Sequence, residues 1–135
     1  MGTILLLSPL AFSGFWTEKG RDGTLILADS QLNGRGQYER DWEAAPQQNL
    51  TFSLIFEPNN QKRLTILTLA CALAVSDICN EQSKSPINLK WPNDVLCDGK
   101  KMSGLLTEAI YNGNVLERVV IGIGINVNQT AFSDS

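Results

Sequence analysis

From Asn49 to Phe56 apolar and polar residues alternate, with Leu50, Phe52, Leu54 and Phe56 at every second position, which predicts a strand with one face on a core. Thr24-Leu25-Ile26-Leu27-Ala28 is a compact apolar run of the buried-strand kind. Met102–Ile110 and Val115–Val127 predict two long strands paired antiparallel through the turn residues Asn112-Gly113, and Asp98-Gly99 predicts another hairpin turn just ahead of them. Ile87, Leu89 and Trp91 alternate with Asn88 and Lys90 until Pro92, which has no N–H for a ladder, so a strand ends there with Lys90 facing away from its apolar neighbours. Val95-Leu96-Cys97 follows as a second short apolar run. Gln61–Gln82 has helical spacing, with Leu64, Leu67, Ala70 or Cys71, Ala74, Val75 and Ile78 at steps of three and four. The other side of that helix is also rich in Leu and Ala, so it should lie against a sheet over much of its circumference.

Three stretches escape this periodicity. Met1–Trp16 is apolar but lacks a basic start and is interrupted by Pro9, which argues against a secretion signal, and it falls short of a membrane-spanning length. Residues 1–23 are left without a role, and Gln129–Ser135 reads as a polar tail. Asp29–Pro46 is a long stretch with little apolar order, of a length that marks either a functional loop or a disordered one.

Composition narrows the chemistry. At 135 residues, 43% apolar and 19% charged, the chain is one domain or a piece of one. Its net charge of −3 speaks against a nucleic-acid surface. Histidine is absent, which excludes imidazole metal sites and histidine-based nucleophile pairs. Cys71, Cys79 and Cys97 are odd in number and lack metal-site spacing, so buried free thiols are expected. Chemistry must therefore rest on lysine, arginine, carboxylates, amides and backbone.

Those groups concentrate at a few places. Lys90-Trp91-Pro92-Asn93-Asp94 sets an ammonium, an amide and a carboxylate at a sharp bend, which suits an anionic ligand, although a hairpin with a solvated lysine has the same composition. In the long loop, Gly34 and Gly36 flank Arg35 and let backbone N–H groups approach a ligand, while Gln31, Arg40 and Trp42 add polar groups, a forked donor and a flat face; a flexible linker is the competing reading. Gly122 and Gly124 strip alternate side chains from one face of the last strand and Gly104 does so on its partner, leaving room for something flat or for a closely packed element.

Taken in order, Gly34-Arg35-Gly36 with Trp42, Lys90-Trp91-Pro92-Asn93-Asp94, Asp98-Gly99-Lys100-Lys101 with Gly104 and Glu108, and Gly122-Ile123-Gly124-Ile125-Asn126-Val127-Asn128 closely resemble the biotin protein ligase family over residues 24–128. The resemblance implies an α+β fold, a mixed, largely antiparallel sheet backed by helices, as in the class II synthetase-like biotin/lipoate ligases. It also implies a cytoplasmic enzyme that makes biotinyl-5′-adenylate from biotin and ATP with Mg²⁺, then passes biotin to a lysine of a biotin carboxyl carrier protein or domain. No nucleic acid or membrane partner is implied, and an open sheet edge would allow a homodimer. Lys90 would meet the biotin carboxylate and the α-phosphate; Gln31, Gly34, Arg35, Gly36, Gly104, Gly122 and Gly124 would surround biotin. Trp42, Asn126 and Arg40 would serve the nucleotide, and Asp94 would order the second-step amine or a Mg²⁺ ion.

The chain also departs from the family pattern. Gln37 and Glu39 stand where many members carry arginine and glycine, which would loosen the loop over the adenylate. The family's Ser-Thr-Asn biotin segment is not recognisable in Met1–Gly23, and neither its later helices and C-terminal barrel nor a preceding DNA-binding winged helix is present. A truncated module that binds without turnover is therefore the alternative expectation, and a lipoate ligase of related fold a third.

Overall fold

The computed structural model describes residues 22–28, 31, 34–36, 41–58 and 64–132. Among the described residues the strands are β1 (Thr24–Ala28), β2 (Gly34–Arg35), β3 (Asp41–Trp42), β4 (Asn49–Phe56), β5 (Ile87–Lys90), β6 (Asp94–Cys97), β7 (Lys100–Asn112) and β8 (Val115–Asn126), and a helix, α1 (Leu64–Gln82), lies between β4 and β5. Six strands form one sheet in the order β1-β4-β8-β7-β6-β5, and β2 and β3 form a separate two-stranded ribbon. Every pairing among the described residues is antiparallel. The aperiodic stretch after β1 is thus partly ordered by pairing Gly34 with Trp42 and Arg35 with Asp41.

Both hairpin turns into and out of β7 are two residues long. Asp98 and Gly99 take φ of 51° and 76°, the pair of left-handed residues that matches the twist of the flanking strands. At the other end the turn is Gly113-Asn114, because Asn112 pairs with Val115. That is one residue later than the Asn112-Gly113 expectation, and Gly113 with φ of 60° takes the first central position, where glycine is favoured.

In an antiparallel ladder directly opposed residues share a face. Phe52, Leu54, Ile123, Ile121, Val119, Leu105 and Val95 fall on one face, where they form the core with Ala72 and Val75 of α1. Ile121, Val119, Val95 and Leu105 of this face are fully buried. A bridge of 2.6 Å between the Thr68 and Thr107 hydroxyls adds a polar link between helix and sheet.

Leu64, Leu67, Cys71 and Val75 face the sheet as expected, but the helix is turned far enough to bring Ala72 and Cys79 there in place of Ala74 and Ile78. Its sheet side is Leu64, Leu67, Cys71, Ala72, Val75 and Cys79, whereas Ala70, Ala74 and Ile78 face outward. Because the helix is apolar nearly all round, residue pattern alone does not fix its phase, and its outer side leaves Ile66 62% and Leu73 52% exposed. By length and composition alone α1 could cross a membrane, yet one side of it is packed on the sheet. The three cysteines are free and half-buried, and burial pushes the Cys71 and Cys79 thiols up, with Cys97 adding to the effect on Cys79.

These burials give a stability contrast. Ile121→Ala is expected to cost about 2–5 kcal/mol by emptying the sheet–helix core, whereas Ile66→Ala on the outer side of α1 should stay within about 0.5 kcal/mol. Urea unfolding of both variants checks this.

Candidate active site

The candidate site residues gather on the second face of the sheet. Gly104 pairs with Gly124 and Leu106 with Gly122 across β7 and β8, while Lys90 and Asp94 pair across β5 and β6, and Asp94 pairs in turn with Gly104. All six therefore project, or lack a side chain, on the face opposite the core. Asn126, two residues beyond Gly124, shares it.

Over this floor lies Trp42, delivered by the β2–β3 ribbon. A Cβ placed on Gly124 would sit 2.3 Å from indole atoms Cε2 and Cζ2, and one on Gly104 would be 3.2 Å from Cζ3. The flat object on the glycine floor is thus the protein's own indole. Gly34 is constrained within the ribbon, because a Cβ there would meet the Trp42 carbonyl oxygen at 2.1 Å. Gly122 is more open, with nothing closer to its Cβ position than the Leu106 carbonyl at 3.7 Å. Beside it Arg35, Gly36, Leu106 and Glu108 line a cleft of about 210 Å³. Two buried polar atoms near Gly124 have no hydrogen-bond partner among the described residues, the indole Nε1 of Trp42 and the amide Oδ1 of Asn126.

The bend after β5 divides its polar groups between structure and chemistry. The Trp91–Pro92 peptide is cis. Asn93 is buried, donates from Nδ2 to the Leu105 carbonyl at 2.7 Å and accepts the Leu105 N–H on its own carbonyl at 3.0 Å. The amide expected to help hold an anion instead pins the bend to β7. Asp94 is paired with Lys101 Nζ at 2.9 Å, and that ammonium lies 5.8 Å from the Trp42 ring centroid. With Asp94 engaged by Lys101, Lys90 is exposed and in no ion pair among the described residues. Lys101 is a contributor that sequence reasoning quoted in its motif without a role. No residue pattern marks it, because its role depends on the bulge between Val95 and Leu96, which offsets the pairing of β6 with β7.

Asp94 fits poorly as a Mg²⁺ ligand, because its carboxylate is already neutralised and no cluster of three acidic, cysteine or histidine side chains occurs among the described residues. Gln31 is half-buried, whereas Arg40, Gln37, Glu39 and residues 1–21 lie outside the described residues.

A profile of the biotin/lipoate A/B protein ligase family matches residues 11–126. The chain belongs to this family. The match takes in residues 11–23, for which sequence reading found no role. Among relatives, the bifunctional ligase/repressor BirA of Bacillus subtilis is 42% identical over 109 residues, which is 80% of this chain and 34% of that protein. The biotin–[acetyl-CoA-carboxylase] ligase of Paracoccus denitrificans is 34% identical over 76% of this chain and 43% of its own length. Among solved structures, the biotin protein ligase of Aquifex aeolicus in complex with biotin and ATP superposes with a TM-score of 0.76 at 36% identity, over 90% of this chain and 50% of that one. The chain thus spans a third to a half of the relatives it matches, and the fold is the class II synthetase-like catalytic fold of the biotin ligases.

The seating of Trp42 is testable by fluorescence. Gly124→Ala should expel the indole and raise its quenching by acrylamide, with Trp42→Phe identifying its share of the signal among the three tryptophans. Gly122→Ala should leave quenching unchanged. Equal quenching in wild type and Gly124→Ala would mean that the indole does not rest on the floor.

Proposed function

We propose that this chain carries the catalytic face of an ATP-dependent biotin–protein ligase. The observation that carries the reading is an unpaired ammonium, Lys90, on the same sheet face as a side-chain-free floor capped by an indole. The relatives named as biotin ligases, and the superposed structure that holds biotin and ATP, support the choice of substrates.

The chemistry suits these groups. A biotin carboxylate oxygen attacks the α-phosphorus of ATP; the new O–P bond forms as the bond to the bridging oxygen breaks, and pyrophosphate leaves with that electron pair. Both reactants are anions, and two unit charges about 4 Å apart interact by about 4 kcal/mol at a protein surface. An ammonium held between them offsets that repulsion and stabilises the charge gathering on the phosphoryl oxygens. No proton moves in this step, so the absence of histidine is no obstacle. In the second step the amine nitrogen of a carrier-domain lysine attacks the acyl carbon, the acyl C–O bond of the mixed anhydride breaks and AMP departs with its electron pair, and the proton lost from the nitrogen goes to solvent.

The remaining residues have matching tasks. Arg35 and the backbone at Gly34 and Gly36 would border biotin at the cleft with Gly122, and Gln31 and Gly104 would complete its surroundings. Adenine offers both an acceptor ring nitrogen and the N6 donor, complementary to the buried Trp42 Nε1–H and Asn126 Oδ1. Mg²⁺ would arrive with ATP, and no step here relies on Asp94 binding it. The partner would be the biotin carrier domain of a carboxylase, and the setting cytoplasmic.

The test is to incubate the chain with biotin and MgATP and assay biotinyl-5′-adenylate and pyrophosphate by mass spectrometry. Product is expected, and Lys90→Ala should lower it by about a hundred- to a thousandfold with the unfolding midpoint unchanged. Wild-type turnover by Lys90→Ala would remove that lysine from the mechanism. A folded wild-type chain that binds biotin without forming adenylate would make this a binding module.

A further inference from the structure

Gln129 falls in what the sequence presents as a polar tail, yet it is only 8% exposed. Its Oε1 accepts from the Ala45 N–H at 2.9 Å and from Asn49 Nδ2, while its Nε2 donates to the Ala131 carbonyl at 3.0 Å and lies 3.4 Å from Glu43 Oε1. The amide orientation follows from its neighbours. Asn49 Oδ1 accepts the Val127 N–H at 3.2 Å, which turns Nδ2 of Asn49 toward Gln129, so only an oxygen can face it. The full hydrogen-bonding capacity of this primary amide is used: two contacts reach Glu43 and Ala45, one reaches Asn49 at the start of β4, and one closes locally on Ala131.

Two of the segments so linked are the anchors of the site. Residues 43–45 follow directly on Trp42, and β8 carries Gly124 and Asn126. The knot stands apart from the sheet–helix core, which includes no residue of 43–49 or 127–131. A separate bond, Asn128 N–H to the Gln48 carbonyl at 2.9 Å, keeps the end of β8 beside the chain entering β4. Loss of the Gln129 amide would therefore release chiefly the tether behind Trp42.

We infer that Gln129 is a positioning residue that holds the Trp42 indole on the Gly104–Gly124 floor and thereby sets affinity for the nucleotide more than for biotin, whose Gly34 and Arg35 neighbours share the ribbon with Trp42. The assignment to nucleotide rests on the ligase reading above; the assignment to indole position does not. Gln129→Glu keeps the acceptor for Ala45 and Asn49, loses the donor and sets a second carboxylate against Glu43. Pairing it with Glu43→Gln reverses donor and acceptor across that contact.

The test measures KM for ATP and for biotin, acrylamide quenching of Trp42 and the urea midpoint in Gln129→Leu, Gln129→Glu and the Gln129→Glu/Glu43→Gln pair. Gln129→Leu is expected to raise the KM for ATP about tenfold, the scale of one buried hydrogen-bonding group left unpaired, with a smaller rise in the KM for biotin and Trp42 more quenched. The paired exchange should recover part of what Gln129→Glu loses. Unchanged quenching in Gln129→Leu would overturn the inference, as would equal losses for both substrates together with a lowered midpoint. If the wild type forms no adenylate, the ligase reading fails, and the quenching result alone decides whether Gln129 positions Trp42.

Discussion

A flat floor inside an antiparallel sheet needs side chains to be missing at opposed positions on one face while the other face keeps its packing. β7 and β8 meet this requirement through register. Gly104 opposes Gly124, and the residues on either side of them, Ser103 with Ile125 and Leu105 with Ile123, point the other way into or beside the core. A slip of one residue would carry the glycines into the core and Ile123 onto the floor. The two-residue turns at Asp98-Gly99 and Gly113-Asn114 fix where β7 starts and ends and so protect that register. Much else follows from it. The glycine pair admits the Trp42 indole, the indole requires the ribbon that delivers it, and the ribbon requires Gly34.

The same face also separates charges. Lys90 and Asp94 oppose each other across β5 and β6, and left to themselves they would pair. The bulge at Val95/Leu96 brings Lys101 to Asp94 instead, so the carboxylate is neutralised from the β7 side and the Lys90 ammonium stays available for anions. With the Lys101 side chain half exposed, its pair with Asp94 contributes modestly to stability. Its value lies in which lysine it leaves free.

The strands were legible because alternation survives in a sheet buried on one face, as β4 shows with Phe52, Leu54 and Phe56 on the core side. The candidate site was legible because Lys90 ends a strand and because the glycines fall at alternate positions. What the sequence concealed has definite physical causes. The rotation of α1 was ambiguous because apolar residues surround it. The ribbon of β2 and β3 is too short to show a period. Asn93 and Gln129 looked like turn and tail residues, since nothing local distinguishes a solvated amide from one that closes a long-range hydrogen-bond knot. Their partners lie 12 residues away for Asn93 and 80 to 86 for Gln129.

The central claim is that one face of this sheet binds ligand and the other only packs. The most direct measurement is amide chemical-shift mapping of the isotopically labelled chain as biotin and then ATP are added. Shifts concentrated at Arg35, Trp42, Lys90, Gly104, Gly122, Gly124 and Asn126, with Ala72 and Val75 of α1 quiet, are the expected result. Saturable shifts centred on α1, with the glycine floor unmoved, would contradict it.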